Sequence, residues 1–84
     1  FWTNGCINCI RNYPLYREWT TRYADKKFTL VGVHTPEFAG EAPADVVRAK
    51  AKENNLTFPI VLDPDAAIWK QWKNRYWPAI YVLD

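Results

Sequence analysis

Three features of this 84-residue sequence predict an α/β fold with a central, mostly parallel sheet flanked by helices. Strand-like and helix-like segments alternate along the chain, the order produced when each parallel strand is followed by a right-handed crossover helix. The runs at 28–34, 58–63 and 79–83 are nearly continuous in apolar residues, as in strands covered on both faces. A composition of 49% hydrophobic and 17% aromatic residues supplies one packed core, and the length allows one domain at most.

Taken in order, Phe1-Trp2 ends a first strand and Thr3-Asn4-Gly5 turns out of it. Cys9, Tyr13, Tyr16, Trp19 and Tyr23 then fall at spacings of four and three, which predicts one apolar helix face running to about Asp25. Glu18 and Arg22 add a favourable pair one turn apart. Pro14 removes a backbone donor inside this pattern, so the helix is expected as two segments or a bent one. After the strand at 28–34, two prolines and a glycine make 35–43 a loop. Asp45 is expected to start or cap the next helix, through Val46, Val47, Ala49 and Ala51, with Asn54-Asn55 ending it. Asn55-Leu56-Thr57 has the form of a glycosylation sequon. A buried strand at 58–63 is stopped by Asp63-Pro64, and Asp65 begins a helix with Ile68, Trp69 and Trp72 on its apolar side. The loop before Pro78 leads into a last internal strand at 79–83.

The chemistry centres on Cys6-Ile7-Asn8-Cys9. A thiol is an effective nucleophile as its thiolate, and the unpaired N–H groups of a helix N-terminus stabilise that charge. Cys6 is expected at such a terminus. Cys9, one turn on, would face back toward it, placed to close a small disulfide and release a partner bound to Cys6. Cys6 therefore attacks and Cys9 resolves. Ligands of parallel sheets gather beyond the carboxyl ends of the strands. The strand ending at Trp2 delivers Cys6 to that edge, and the strand ending at His34 sends Thr35-Pro36-Glu37-Phe38 to the same place. His34 and Glu37 are the candidates for proton handling, against the plainer readings of a hydrogen-bonded structural histidine and a solvated or capping carboxylate. Trp69 and Trp72 are assigned to the core, Asn12 and Pro14 to structure, and the basic helix face at 48–52 to solvent.

A structural Cys6–Cys9 bridge is disfavoured because so small a loop constrains the unfolded chain little. A zinc site needs more ligands than two cysteines and the single histidine provide. Net charge is +2, with basic and acidic residues interspersed, the pattern of a solvated surface rather than a nucleic-acid footprint. The sequence has neither an apolar run of membrane-spanning length nor a signal-peptide pattern at its start.

Four blocks carry a resemblance that spans nearly the whole chain: Phe-Trp-Thr before Cys-Ile-Asn-Cys, Val-Gly-Val-His-Thr-Pro-Glu-Phe, Phe-Pro-Ile-Val-Leu-Asp-Pro, and Arg-Tyr-Trp-Pro-Ala-Ile-Tyr-Val-Leu-Asp. Together they resemble the TlpA-like membrane-anchored group, and most of all the redoxin domain of DipZ-type cytochrome c biogenesis proteins. The resemblance implies a thioredoxin-like three-layer fold whose first strand, and whose closing strand and helix, lie outside this chain. It implies a thiol:disulfide oxidoreductase with Cys6 as nucleophile and Cys9 as buried resolver, using no cofactor beyond that redox-active pair. Pro78 would be the cis-proline facing the dithiol, with Trp77 and Pro78 contacting substrate. Partners would be protein thiols and disulfides and a membrane electron-donor protein, outside the cytoplasm, with no nucleic acid. Two positions depart from the pattern: Asn12 stands where relatives often carry a glutamate that accepts a proton near the buried thiol, and Gly5 replaces a tryptophan, which is expected to open the surface beside Cys6. Two rival readings remain, a peroxiredoxin-like thiol peroxidase using Cys6 in Thr3-Asn4-Gly5-Cys6, and a copper-binding or delivery module using Cys6, Cys9 and His34.

Overall fold

The computed structural model describes residues 1–23, 25 and 27–83. Five-residue helix α1 (Ile7–Arg11) is followed by α2 (Tyr13–Arg22), and the break falls at Asn12, immediately before Tyr13-Pro14. Pro14 thus occupies the first turn of α2, where its missing N–H leaves no hydrogen bond unmade. Strand β1 (Gly32–His34) leads through a 3₁₀ turn (Ala39–Glu41) to α3 (Ala44–Glu53). Strand β2 (Ile60–Leu62) then precedes the short helix α4 (Ala67–Gln71).

Strands β1 and β2 are parallel, with Gly32 opposite Ile60 and His34 opposite Leu62. On the other side of β1, Trp2 bridges to His34 in parallel register, held by its N–H to the Val33 carbonyl at 2.9 Å and by the Thr35 N–H to its own carbonyl at 3.0 Å. Beyond this, Phe1 and Ala79 exchange two hydrogen bonds, from the N-terminal amine to Ala79 O at 2.8 Å and from Ala79 N to Phe1 O at 3.1 Å. The order across the sheet is therefore β2, β1, the Phe1–Trp2 segment and Ala79.

The expected strands are shorter and more open than their apolar composition suggested. Of 28–34 only the last three residues pair, because the β2 register starts at Gly32; Phe28 and Val31 lie outside it and are exposed. Among the described residues β2 has β1 as its one neighbour, and this edge position leaves Val61 and Leu62 exposed rather than buried. The run at 79–83 is not an internal strand: beyond Ala79 no described residue pairs with it, and Val82 is 91% exposed.

A cluster of Trp2, Cys9, Tyr13, Tyr16, Val47, Ala51, Leu56 and Phe58 forms the core between the sheet, α2 and α3. Gly32 allows this closure, since a Cβ there would stand 2.5 Å from the Phe58 ring and 2.9 Å from the Trp2 indole nitrogen. Helix α3 begins after Pro43, which takes the position expected of Asp45; Asp45 lies in the first turn, where its charge suits the helix dipole. Its C-terminus closes as expected at Asn54-Asn55. Asn55 takes the left-handed conformation (φ 56°), and the Leu56 N–H returns to the Ala51 carbonyl at 2.9 Å. Trp69 is buried, but Trp72 is exposed on α4, edge-on to Tyr81 at 4.7 Å, and so is not a core residue. The first long helix, expected to run to about Asp25, ends at Arg22 with Tyr23 as its C-cap.

Candidate active site

Cys6 is the N-cap of α1, in extended conformation, and its Sγ accepts the Cys9 N–H at 3.4 Å. One side chain thereby occupies the helix terminus, where the partial positive charge of unpaired N–H groups is greatest. The Cys6 thiol also points to the Trp77 carbonyl oxygen at 3.9 Å, and the Trp77-Pro78 peptide is cis. Cys9 lies fully buried inside the first turn. Burial pushes its thiol up to about 12, Cys6 beside it adds to the rise, and a hydrogen bond from the Thr3 main chain offsets part of it. The two thiols are thus chemically distinct: one partly exposed at a helix terminus, the other buried and strongly protonated.

A shallow groove of about 410 Å³ opens beside Cys6, lined among others by Ile7, Glu37, Arg75, Tyr76 and Trp77. Of the residues singled out in the sequence, Cys6, Trp77 and Glu37 meet there. His34 does not. It is fully buried, packed edge-on against Trp2 at 4.9 Å, with Nε2 lying 3.2 Å from the Asn4 N–H and 3.0 Å from the Asn4 side-chain amide. Burial holds its pKa below the ordinary histidine value, against a smaller opposing pull from Glu41. Glu37 is exposed, and its main-chain N–H donates to Glu41 at 2.9 Å. The Asn12 amide donates at 3.5 Å to the Tyr16 hydroxyl.

A second buried network fixes Trp77. Asp63 accepts the Thr35 hydroxyl at 2.8 Å and the N–H groups of Ile68 and Trp69 at 3.0 Å, tying the end of β2 to the start of α4. Burial alone would raise its pKa, but the Ile68 N–H, the Thr35 hydroxyl and the Trp69 N–H together hold the carboxyl below its ordinary value. The Thr35 carbonyl in turn accepts the Trp77 indole N–H at 2.7 Å, and the Trp77 ring stacks on Trp69 at 4.0 Å. Asp63 thereby locates Trp77, whose carbonyl faces Cys6.

The residue missed in the sequence is Glu41. It is 8% exposed, accepts the Thr3 hydroxyl and the Glu37 N–H, and its carboxylate fills the space where a Gly5 Cβ would stand. Gly5 is itself exposed on the groove beside Cys6, and its missing Cβ also makes room for Glu41. Nothing in the sequence marked it, because its partner Thr3 lies 38 positions away.

A dithiol at a helix N-terminus, beyond the carboxyl end of a parallel strand and facing the Trp77 carbonyl, is the arrangement of a thioredoxin-like redoxin. The chain belongs to the AhpC/TSA family, whose profile matches residues 1–84. It is 42% identical over 84 residues to Protein DipZ of Mycobacterium tuberculosis, covering 100% of this chain and 12% of that protein. It is 32% identical to the Thiol-disulfide oxidoreductase YkuV of Bacillus subtilis, over 100% of this chain and 56% of that protein. A thioredoxin-like protein solved in solution in its oxidised form superposes with a TM-score of 0.82 at 29% identity, over 90% of this chain and 51% of that one. The domain is thus an oxidoreductase-type redoxin of thioredoxin-like fold, homologous to DipZ and to thiol-disulfide oxidoreductases.

Proposed function

We propose that this domain exchanges disulfides with protein thiols through Cys6 and Cys9. The observation that carries the reading is the asymmetry of the pair: the Cys6 sulfur lies on the Cys9 N–H and under the Trp77 carbonyl, while Cys9 is buried with its pKa near 12. The Cys6 thiolate attacks one sulfur of a substrate disulfide, the other sulfur leaves as a thiolate, and a mixed disulfide remains on Cys6. Cys9 then loses its proton and attacks the Cys6 sulfur, releasing the second substrate thiolate. Two electrons pass to the substrate, which ends as a dithiol, and Cys6–Cys9 ends as a disulfide. In the mixed disulfide Cys6 is neutral, so one of the influences that hold the Cys9 proton in place is gone. Cys9 is in this way kept inactive until a substrate is attached.

Trp77, followed by Pro78 in the chain, forms the substrate-facing wall: an extended chain in the groove would meet the Trp77 main chain beside Cys6. The redox-active pair serves as the only redox group. The likeness to DipZ-type redoxins supports an extracytoplasmic setting, protein disulfides as substrates and a membrane protein as electron donor. Neither rival gains support. The Thr3 hydroxyl of the T-x-x-C segment is engaged by Glu41, and the His34 Nε2 that a copper module needs is taken up by Asn4.

The test is mass-spectrometric trapping in the intact protein. Cys9→Ser should accumulate mixed disulfides on Cys6 with protein substrates, and Cys6→Ala should abolish exchange. A wild-type couple between roughly −120 and −270 mV is expected for an exchange protein. Normal turnover in either variant, or a couple well below about −300 mV, would overturn the assignment.

A further inference from the structure

We infer that Glu41 is the positioning residue of this site, its buried carboxylate bracing the Thr3-Asn4-Gly5 turn and so fixing where Cys6 stands. The inference rests on the disulfide-exchange reading for its consequence, and on geometry for its mechanism. Burying a carboxylate is costly unless its oxygens are satisfied, and Glu41 has no Lys or Arg ion-pair partner among the described residues. What satisfies it is the turn itself and the adjoining loop. Its carboxylate accepts the Thr3 hydroxyl and the Glu37 N–H, and its main-chain carbonyl accepts the Asn4 amide at 3.1 Å. Its Cδ lies 2.9 Å from the point a Gly5 Cβ would occupy.

Each residue between Trp2 and Cys6 is therefore in contact with Glu41. Thr3 is also tied directly to the nucleophile, because its main-chain carbonyl accepts the Cys6 N–H at 3.4 Å. The helix that carries both thiols is short, five residues, and cannot hold Cys6 in place through its own length. The brace comes instead from the far side of the turn, reached through a 3₁₀ element more than thirty positions along the chain. Gly5 is the counterpart: any side chain at that position displaces the carboxylate. The residue ahead of the nucleophile is thus constrained by Glu41 as well as facing the groove.

The test compares Glu41→Ala, Glu41→Gln and Gly5→Ala in the intact protein, with folding checked by circular dichroism. Two quantities are read: the rate of exchange of the reduced protein with a small aromatic disulfide, and the Cys6–Cys9 reduction potential. Misplacing a reacting atom by about 1 Å costs up to a hundredfold, so Glu41→Ala should slow exchange at least about tenfold and shift the potential. Glu41→Gln keeps an oxygen acceptor of the same size and should stay within about threefold of wild type. Gly5→Ala should reproduce the alanine defect, and combining it with Glu41→Ala should add little, since both remove the same contact. Folded Gly5→Ala protein with wild-type rate and potential would overturn the inference, as would a glutamine variant as slow as alanine. Because the probe is a small disulfide, inactivity toward protein disulfides alone would sink the proposed function and leave the Glu41 result readable.

Discussion

At the carboxyl end of the sheet the buried polar side chains are Thr3, His34, Thr35, Glu41 and Asp63, while the body of the fold, against α2 and α3, buries Tyr13, Tyr16, Val47, Ala51, Leu56 and Phe58. The first group is joined by hydrogen bonds, which are directional and fail if a partner moves a few tenths of an ångström. The second is joined by ring packing such as Tyr16 against Phe58 at 6.1 Å and Trp2 against Tyr13 at 5.9 Å, which tolerates small shifts. The two regions divide the work: packing gives the fold its free energy, and the polar end converts that rigidity into fixed positions for two sulfurs and one carbonyl.

The largest effect is expected from Phe58→Ala in the packed region. Phe58 is buried, touches Tyr16 and fills the space above Gly32, so its removal should cost about 3–5 kcal/mol, a large share of the stability of a small domain. The reduction potential of the folded fraction should be unchanged, because no hydrogen bond of the polar end involves this ring. Urea unfolding gives the first quantity, and equilibration in glutathione buffers gives the second. A shift in potential as large as that of Glu41→Ala would show that the two halves are not separable.

The sequence carried the first half well and the second half poorly, for a physical reason. Helical spacing marked Tyr13, Tyr16 and Val47, and Pro14 marked the break, because packing and chain geometry are written locally. The cysteine spacing marked the site, and Trp77-Pro78 its facing wall. Glu41 could not be seen, because its partners lie 38 positions away at Thr3 and nothing in a loop carboxylate announces burial. Asp63 was seen only as the end of a strand, although it organises Thr35, Ile68 and Trp69. His34 was correctly brought to the carboxyl edge but joins Asn4 rather than the groove. The apolar runs at 28–31 and 79–83 misled in the opposite sense: their composition fits buried strands, but burial depends on neighbours that local sequence does not specify.

Titration separates the two halves on opposite sides of neutrality. His34 is held below the ordinary histidine range by burial, so below about pH 6.5 the unfolded chain takes up its proton before the folded one does. Stability therefore falls as pH drops through that point. The Asp63 carboxyl, held low by its hydrogen bonds despite burial, contributes stability that is present above about pH 4 and lost as pH falls further. Both acid steps belong to the polar end. Cys9, in the packed core, acts in the other direction: its raised pKa gives the reduced protein stability that is complete below about 9 and lost as pH rises toward about 12. Urea midpoints measured from pH 3 to 11 on reduced protein should show all three. Asp63→Asn should remove the lowest, and oxidation of the pair should remove the Cys9 part of the alkaline one, leaving the part that comes from the buried Tyr13 and Tyr16 hydroxyls, which burial also raises.

The smallest effect is the most discriminating, because it concerns the other glycine beside Glu41. Gly40 lies in the same 3₁₀ turn, but a Cβ built there meets nothing within 4 Å, and its backbone is not left-handed. Gly40→Ala should therefore stabilise the protein by about 0.4–1 kcal/mol, mainly by restricting the unfolded chain. Exchange rate and potential should not change. Gly5→Ala adds the same methyl group where the Glu41 carboxylate stands, and there it displaces Glu41. If Gly40→Ala also slowed exchange, the brace would depend on freedom in the 3₁₀ turn and the polar end would reach beyond the residues that touch Glu41. A higher urea midpoint with an unmoved potential would instead confine positional control to the face of Glu41 that meets Thr3 and Gly5, leaving the rest of its loop free to vary.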